Sequence, residues 1–169
     1  MDYSIGEILE LTRKAAKRIS DTQSSVWDLP EVSICHHLAN ELENLFRGFS
    51  VDMELIKDDR RRPDIAIHNR GNNENNLAIY QVKKNPTTKQ LRDDLFKIND
   101  TFFRDPYCYK YGILVSIGKL PKELPAFDKD RVGILEIYGW GIITEEEFAE
   151  QQRNQKLLDT DLFHKSNEI

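Results

Sequence analysis

The chain has 169 residues, 39% hydrophobic and 31% charged, with a formal net charge of −5 at neutral pH. That is enough chain for one domain with a real core, and the composition is that of an ordinary globular protein with a charged surface. No apolar run approaches the roughly 20 residues needed to span a bilayer, and Cys35 and Cys108 are too few and too distant to imply a disulfide framework or a cysteine-rich zinc site.

In chain order, Ile5, Ile8, Leu9, Ala16 and Ile19 recur at helical spacing and predict a first helix over about 4–20. The segment has no continuous apolar stretch, so it does not read as a secretory leader, and a cytoplasmic setting is the expectation. DTQSSVWDLP reads as a loop, followed by a second helix over about 31–46. GFSVDMELIK at 48–57 alternates as a strand does. DIAIHN at 64–69 and NLAIYQVKK at 76–84, joined by RGNNEN, read as a hairpin. Asn85-Pro86 ends that strand, and Thr87 or Thr88 caps a third helix reaching about Phe103, with Leu91, Leu95, Ile98 and Phe102 inward. YGILVSIG at 111–118 and GILEIYGW at 133–140 are further strands, and TEEEFAEQQRNQKLLD closes as a helix with acids in its first turn. The succession predicts an α/β fold: a central mixed β-sheet flanked by α-helices, in one domain over 1–169 with its core at about 31–140. The third helix serves a crossover.

The third strand carries the chemistry. Side chains alternate, so Leu77, Ile79, Gln81 and Lys83 share one face while Ala78, Tyr80 and Val82 share the other. An amide and an ammonium therefore continue an otherwise apolar face, and Asp64 starts the strand across the hairpin. On the second helix, Ile34, Cys35, Leu38, Leu42, Leu45 and Phe46 fall within about 60° of Glu31. Glu31 thus stands at the N-terminal end of the apolar stripe. It reads either as a first-turn acid favoured by the helix dipole or as a site acid, since an acid facing the core needs a partner.

The combination RPDIAIH and NNLAIYQVKK resembles the core of the PD-(D/E)XK nuclease superfamily, the restriction-endonuclease-like fold. Its signature is Pro-Asp at a strand start, then acid-X-Lys at the end of the next strand. PEVSICHHLANEL and FSVDMEL upstream, and LRDDLFKI and YKYGILVSI downstream, are similar to stretches of one bacterial family of that fold without an assigned role. The likeness covers about 31–120. It implies a nuclease acting on DNA, with RNA left open, that uses Mg²⁺ or Mn²⁺. Asp64 would bind the cation, Gln81 would offer an amide oxygen where the pattern has an acid, and the Val82 carbonyl would supply another oxygen. Lys83 would orient or help deprotonate the attacking water, and Glu31 would act as an outer acid. A hard cation of this kind wants a few oxygens and keeps several waters. Gln81 removes one negative charge, which weakens the attraction for metal and should hold the Lys83 pKa lower. Three outcomes follow: a one-metal nuclease, a nuclease that needs a partner, or a degenerate domain that binds nucleic acid or protein. The bland alternative is a hairpin whose end is polar because it meets solvent.

The net charge of −5 runs against nucleic-acid binding, where neutralised phosphates supply much of the affinity. Binding would therefore fall to a local patch of Arg60, Arg61, Arg62, Arg70, Lys83, Lys84, Lys89 and Arg92, to a homodimer or to a protein partner. His36 and His37 are adjacent on a helix and point about 100° apart, so they read as surface residues. His68 shares a face with Asp64 but reads as structural, and Tyr80, Tyr107, Tyr109 and Tyr111 read as packing before base stacking. No phosphate-binding loop, dinucleotide fingerprint or nucleophile elbow is present in the sequence.

Overall fold

A computed structural model describes residues 3–53, 62–71, 75–138 and 141–142. Helix α1 spans Ile5–Gln23 and opens on a reciprocal cap: Ser4 N donates to Glu7 Oε2 at 2.8 Å, and Glu7 N donates to Ser4 Oγ at 3.3 Å. A short 3₁₀ turn, Ser24–Asp28, leads through Pro30 into α2, Glu31–Leu45. The strands are β1 Ser50–Met53, β2 Ile65–His68, β3 Ala78–Lys84, β4 Tyr111–Ile117, β5 Val132–Tyr138 and the two-residue β6 Gly141–Ile142. Between β3 and β4 lies α3, Thr88–Lys97, which runs on into a wider π turn at Ile98–Phe102. The expected closing helix, the turn at 72–74 and Arg60 and Arg61 lie outside the described residues. No helix among the described residues is long and apolar enough to cross a membrane.

The six strands form one mixed sheet in the order β1-β2-β3-β4-β5-β6. The first three pair antiparallel, β3-β4 and β4-β5 are parallel, and β6 returns antiparallel. Parallel neighbours need a crossover, and the α3 segment provides it. Its start is sharply specified: Thr87 accepts from Gln90 N while the Gln90 side chain accepts from Thr87 N, so Thr87 is the cap. The predicted alternation along β3 holds from Ala78 onward. Ala78, Tyr80 and Val82 join Ile65, Ile67, Ile113 and Val115 in the core beneath α1 and α2. Ile79 joins Ala66 and Leu114 in a second core beneath α3, with Leu91, Leu95, Ile98 and Phe102. Leu77 is a correction: it precedes the strand, and its side chain belongs to the α1–α2 core instead of the Ile79 face.

Tyr80 ties β3 to α1. It is fully buried, and burial pushes its hydroxyl well above the ordinary tyrosine value. Thr12 Oγ1 donates to Ile8 O at 2.7 Å, so the Tyr80 hydroxyl, 2.9 Å from Thr12 Oγ1, is the donor in that contact. Tyr80→Phe removes the donor and leaves a buried acceptor short of a partner. Urea unfolding should show a loss of about 1 to 2 kcal/mol at an unchanged slope; a loss of nothing would mean that the bond contributes no net stability.

Candidate functional site

The site lies at the end of the sheet where β1 and β3 finish and β2 begins. Ligands of open α/β sheets gather outside the carboxyl ends of strands, and a small cavity of about 220 Å³ there is lined by Glu31, Val32, Cys35, Met53 and Asp64. A larger cavity of about 550 Å³ lies elsewhere, between α1, β5 and the loop before β5. Its walls are mainly aliphatic, including Ile5, Leu9, Leu120 and Leu135. The smaller cavity, with two carboxylates and a lysine at hand, is the chemically equipped one.

Asp64 is anchored to β3 twice. Its backbone N donates to Tyr80 O at 3.0 Å, and its Oδ2 accepts from Val82 N at 2.7 Å. Gln81 and Lys83 follow Ile79 on the α3 face of β3. Asp64 precedes β2, and its side chain lines the small cavity with Glu31, Val32 and Cys35 of α2. Glu31 comes from the opposite layer and reaches the same place around the end of the sheet. Its Oε2 accepts from Lys84 N at 2.9 Å, and its Oε1 lies 3.5 Å from Lys83 Nζ. Glu31 does not face the core as the helical wheel implies: its side chain is 42% exposed, at the rim.

Lys83 Nζ sits among the oxygens. It is 3.1 Å from Val82 O, 3.5 Å from Glu31 Oε1 and 3.8 Å from Asp64 Oδ2. Burial disfavours its charge, but the carboxylates of Asp64, Glu31 and Asp94 outweigh burial and hold the ammonium above its ordinary value. Gln81 leaves Lys83 one acid fewer than the pattern has, yet three carboxylates remain within electrostatic reach. At Asp64 the balance goes the other way. Burial raises its carboxyl, and the Val82 N–H and the Lys83 charge only partly offset this. The two shifts are compatible, because desolvation prevails at the carboxyl and ion pairing at the ammonium.

Gln81 is 2% exposed, and its Nε2 donates to Arg62 O at 3.3 Å. An amide donates at one end and accepts at the other, so Oε1 is its remaining ligand atom. The Val82 carbonyl, expected as a metal ligand, accepts from Lys83 Nζ. Among the basic residues expected to meet nucleic acid, Lys84 Nζ donates to Leu29 O at 3.1 Å and Arg70 pairs with Asp52. Arg62, Lys89 and Arg92 are exposed. His68 Nε2 lies 2.8 Å from Asp52 Oδ2, away from the site, so its role is structural. Tyr80 and Tyr109 are fully buried and Tyr107 nearly so.

One residue was missed by the sequence reading. Asp94 on α3 is 2% exposed, its Oδ1 accepts from Lys97 Nζ at 2.9 Å, and its Oδ2 is buried without a hydrogen-bond partner. The signal was present, since Asp94 is spaced three and four residues from the inward Leu91 and Ile98. Adjacent Asp93, which is exposed, disguises it as part of a polar surface pair.

The chain matches no family model, and comparison with curated proteins and with solved structures finds no match.

The Asp64 shift has a consequence for stability. Folding favours its protonated form, so the stability it contributes is complete below the unfolded value of 3.8 and is lost as pH rises through the higher folded value. Asp64→Asn stays neutral and still accepts the Val82 N–H. In EDTA, urea unfolding from about pH 3.5 to about pH 7 should show the wild type losing stability relative to Asp64→Asn as pH climbs. A flat or opposite trend would show that ion pairing, not burial, controls this carboxyl.

Proposed function

We propose that this protein is a metal-dependent phosphodiesterase acting on DNA, with a restriction-endonuclease-like core. The observation that carries the reading is the meeting of Glu31, Asp64 and Lys83 at one end of β3, with Lys83 Nζ within 3.8 Å of both carboxylates. A solvated hairpin end has no need to draw an acid from a helix in the opposite layer. The neighbouring strands also bring Pro-Asp and Gln-Val-Lys side by side, as the sequence resemblance requires.

The oxygens fit a hard cation. Asp64 offers a carboxylate and Gln81 an amide oxygen. Mg²⁺ is commonly held by one or two carboxylates and keeps several waters. When bound, such an ion polarises a phosphoryl oxygen and makes water more acidic. The chain's own contribution is positional and electrostatic. Lys83, held as an ammonium, accepts no proton; it steadies negative charge on the phosphate. Glu31 fixes Lys83 and the end of β3. Lys89, Arg92 and Phe96 fall on one exposed strip of α3, spread over about 60° of the helix. Such a strip offers charge to a backbone and a ring to a base.

A second reading has one observation in its favour. Gln81 is neutral, buried and engaged with Arg62 O, which suits a domain that keeps the fold and binds nucleic acid or protein without cutting. One assay separates the two: plasmid or oligonucleotide cleavage with Mg²⁺ or Mn²⁺. The phosphodiesterase reading expects metal-dependent cutting, reduced at least about 100-fold by Asp64→Ala and by Lys83→Ala. Cutting that survives both substitutions would rule out this site. An inert wild type that Gln81→Glu makes active would establish a decayed enzyme.

A further inference from the structure

The larger cavity, of about 550 Å³, is separate from the Asp64 site: none of the described residues lines both. We propose that it is a second binding site, for a small uncharged molecule with amide groups on an apolar body, an amide N–H meeting Glu136 and an amide oxygen meeting Arg13. The inference stands independently of the hydrolytic reading above.

Three observations carry it. The first is the cavity itself. Small-molecule sites have roughly 300–1,000 Å³, mostly apolar walls and a few polar groups that fix orientation. Here Leu9, Leu120, Phe127 and Leu135 supply apolar wall, and Arg13 and Glu136 stand among them. Helix α1 and β5 touch at Gly133, where a β-carbon would lie 2.6 Å from Leu9 Cδ2. The space opens at Gly6, which also lines the cavity: a β-carbon there would meet nothing within 4 Å. Glycine favours a helix less than any residue except proline, and crowding does not require it at this position.

The second is Glu136. It is 8% exposed, and its Oε1 accepts from Leu120 N at 3.4 Å. Its Oε2 is buried without a hydrogen-bond partner. Burial raises its carboxyl above the ordinary glutamate value, and the Leu120 N–H and Lys119 only partly offset this. A carboxylate oxygen buried unpaired is costly, and an apolar residue would fill the position without that cost. The terminal torsion of a glutamate is soft, so the carboxyl can turn to a donor that enters the cavity.

The third is Arg13. One of its terminal nitrogens lies 3.6 Å from Glu10, whose side chain is 73% exposed, but its Nε is buried without a partner. One cavity thus has a donor on α1 and an acceptor on β5, each short of a bond. A cation would be repelled by Arg13 and by the exposed Lys129 on the same wall, and an anion by Glu136. An amide donates at one end and accepts at the other, and it brings no charge into an apolar space.

The test is a nuclear magnetic resonance titration of the full chain, without metal or nucleic acid, against three probes that share one leucine body. N-acetyl-leucinamide is neutral, N-acetyl-leucine is an anion, and leucinamide is a cation at about pH 6. N-acetyl-leucinamide should bind saturably and shift the amide signals of Leu9, Leu120 and Gly133, with both charged probes at least about tenfold weaker. Arg13→Met and Glu136→Leu should each weaken its binding about fivefold, the effect of one hydrogen bond. Gly6→Leu fills the opening, so binding should be lost while the thermal midpoint holds or rises. A charged probe that binds as well as the neutral one overturns the ligand class. Neutral binding that is unchanged in Arg13→Met and Glu136→Leu, or that survives Gly6→Leu, overturns the site, and so does a titration in which no probe saturates. Should Glu136→Leu not fold, Gly6→Leu decides, because it adds a side chain to open space and removes none.

Discussion

Two carboxylates, Glu31 and Asp64, meet at the end of one β-strand, and the ammonium of Lys83 lies between them. Asp64, Glu31 and Asp94 all raise the affinity of Lys83 for its proton. Each would otherwise repel the other two in a layer partly closed to water. The pairing is not an exposed salt bridge of the kind that contributes little, because the Lys83 side chain is only 22% exposed. Nor is it a sealed ion pair. Glu31 and Asp64 keep contact with solvent, at 42% and 28% side-chain exposure. The site is therefore charged, fixed and reachable, a combination that a purely structural ion pair does not require.

The sheet creates this place by changing direction. β2 and β3 pair antiparallel, which sets Asp64 at the start of one strand beside the end of the next. β3 and β4 then pair parallel over their full lengths, which holds the β3 end rigid up to Lys84. Past that point the chain must turn at once into α3. Asn85 does so at a φ of 44°, and its N donates to Ile117 O at 2.9 Å. Gly118, at a φ of 96°, comes so close to Asn85 that a β-carbon would lie 2.2 Å from Asn85 Oδ1. The crowding at these two turns leaves the chain little freedom between the end of β3 and the start of α3.

Much of this was legible in the sequence, and what was not has a physical cause. The alternation of Ile79, Gln81 and Lys83 against Ala78, Tyr80 and Val82 gave the two faces of β3, because side-chain direction in a strand follows from local geometry. The apolar stripe of α2 was legible for the same reason: Ile34, Cys35, Leu38 and Leu42 are all buried. Leu77 was misplaced since alternation is valid only inside the strand, and the strand starts one residue later. The direction of the Lys83 shift was not legible, because it is a sum over groups far apart in sequence. Counting acids within the Gln81-to-Lys83 stretch omits Asp94, which lies eleven positions beyond Lys83. Arg61, the closing helix and the turn at 72–74 lie outside the described residues, so their expected roles stand on the sequence reading.

The charge balance of the site bears on the order in which ligands bind. Glu31, Asp64 and Asp94 are set against two ammoniums, Lys83 and Lys97, leaving one net negative charge where, on the proposed reading, a phosphodiester would approach. A phosphate meets net repulsion there, reinforced by the overall charge of −5. A divalent cation reverses the local sign to one net positive charge. Placing a neutral amide at position 81 assists this reversal: an additional carboxylate would leave the loaded site with no net attraction for phosphate. In the pattern it resembles, the glutamine appears as a lost ligand. Three acids nonetheless act on Lys83 electrostatically, and one of them, Asp94, comes from α3.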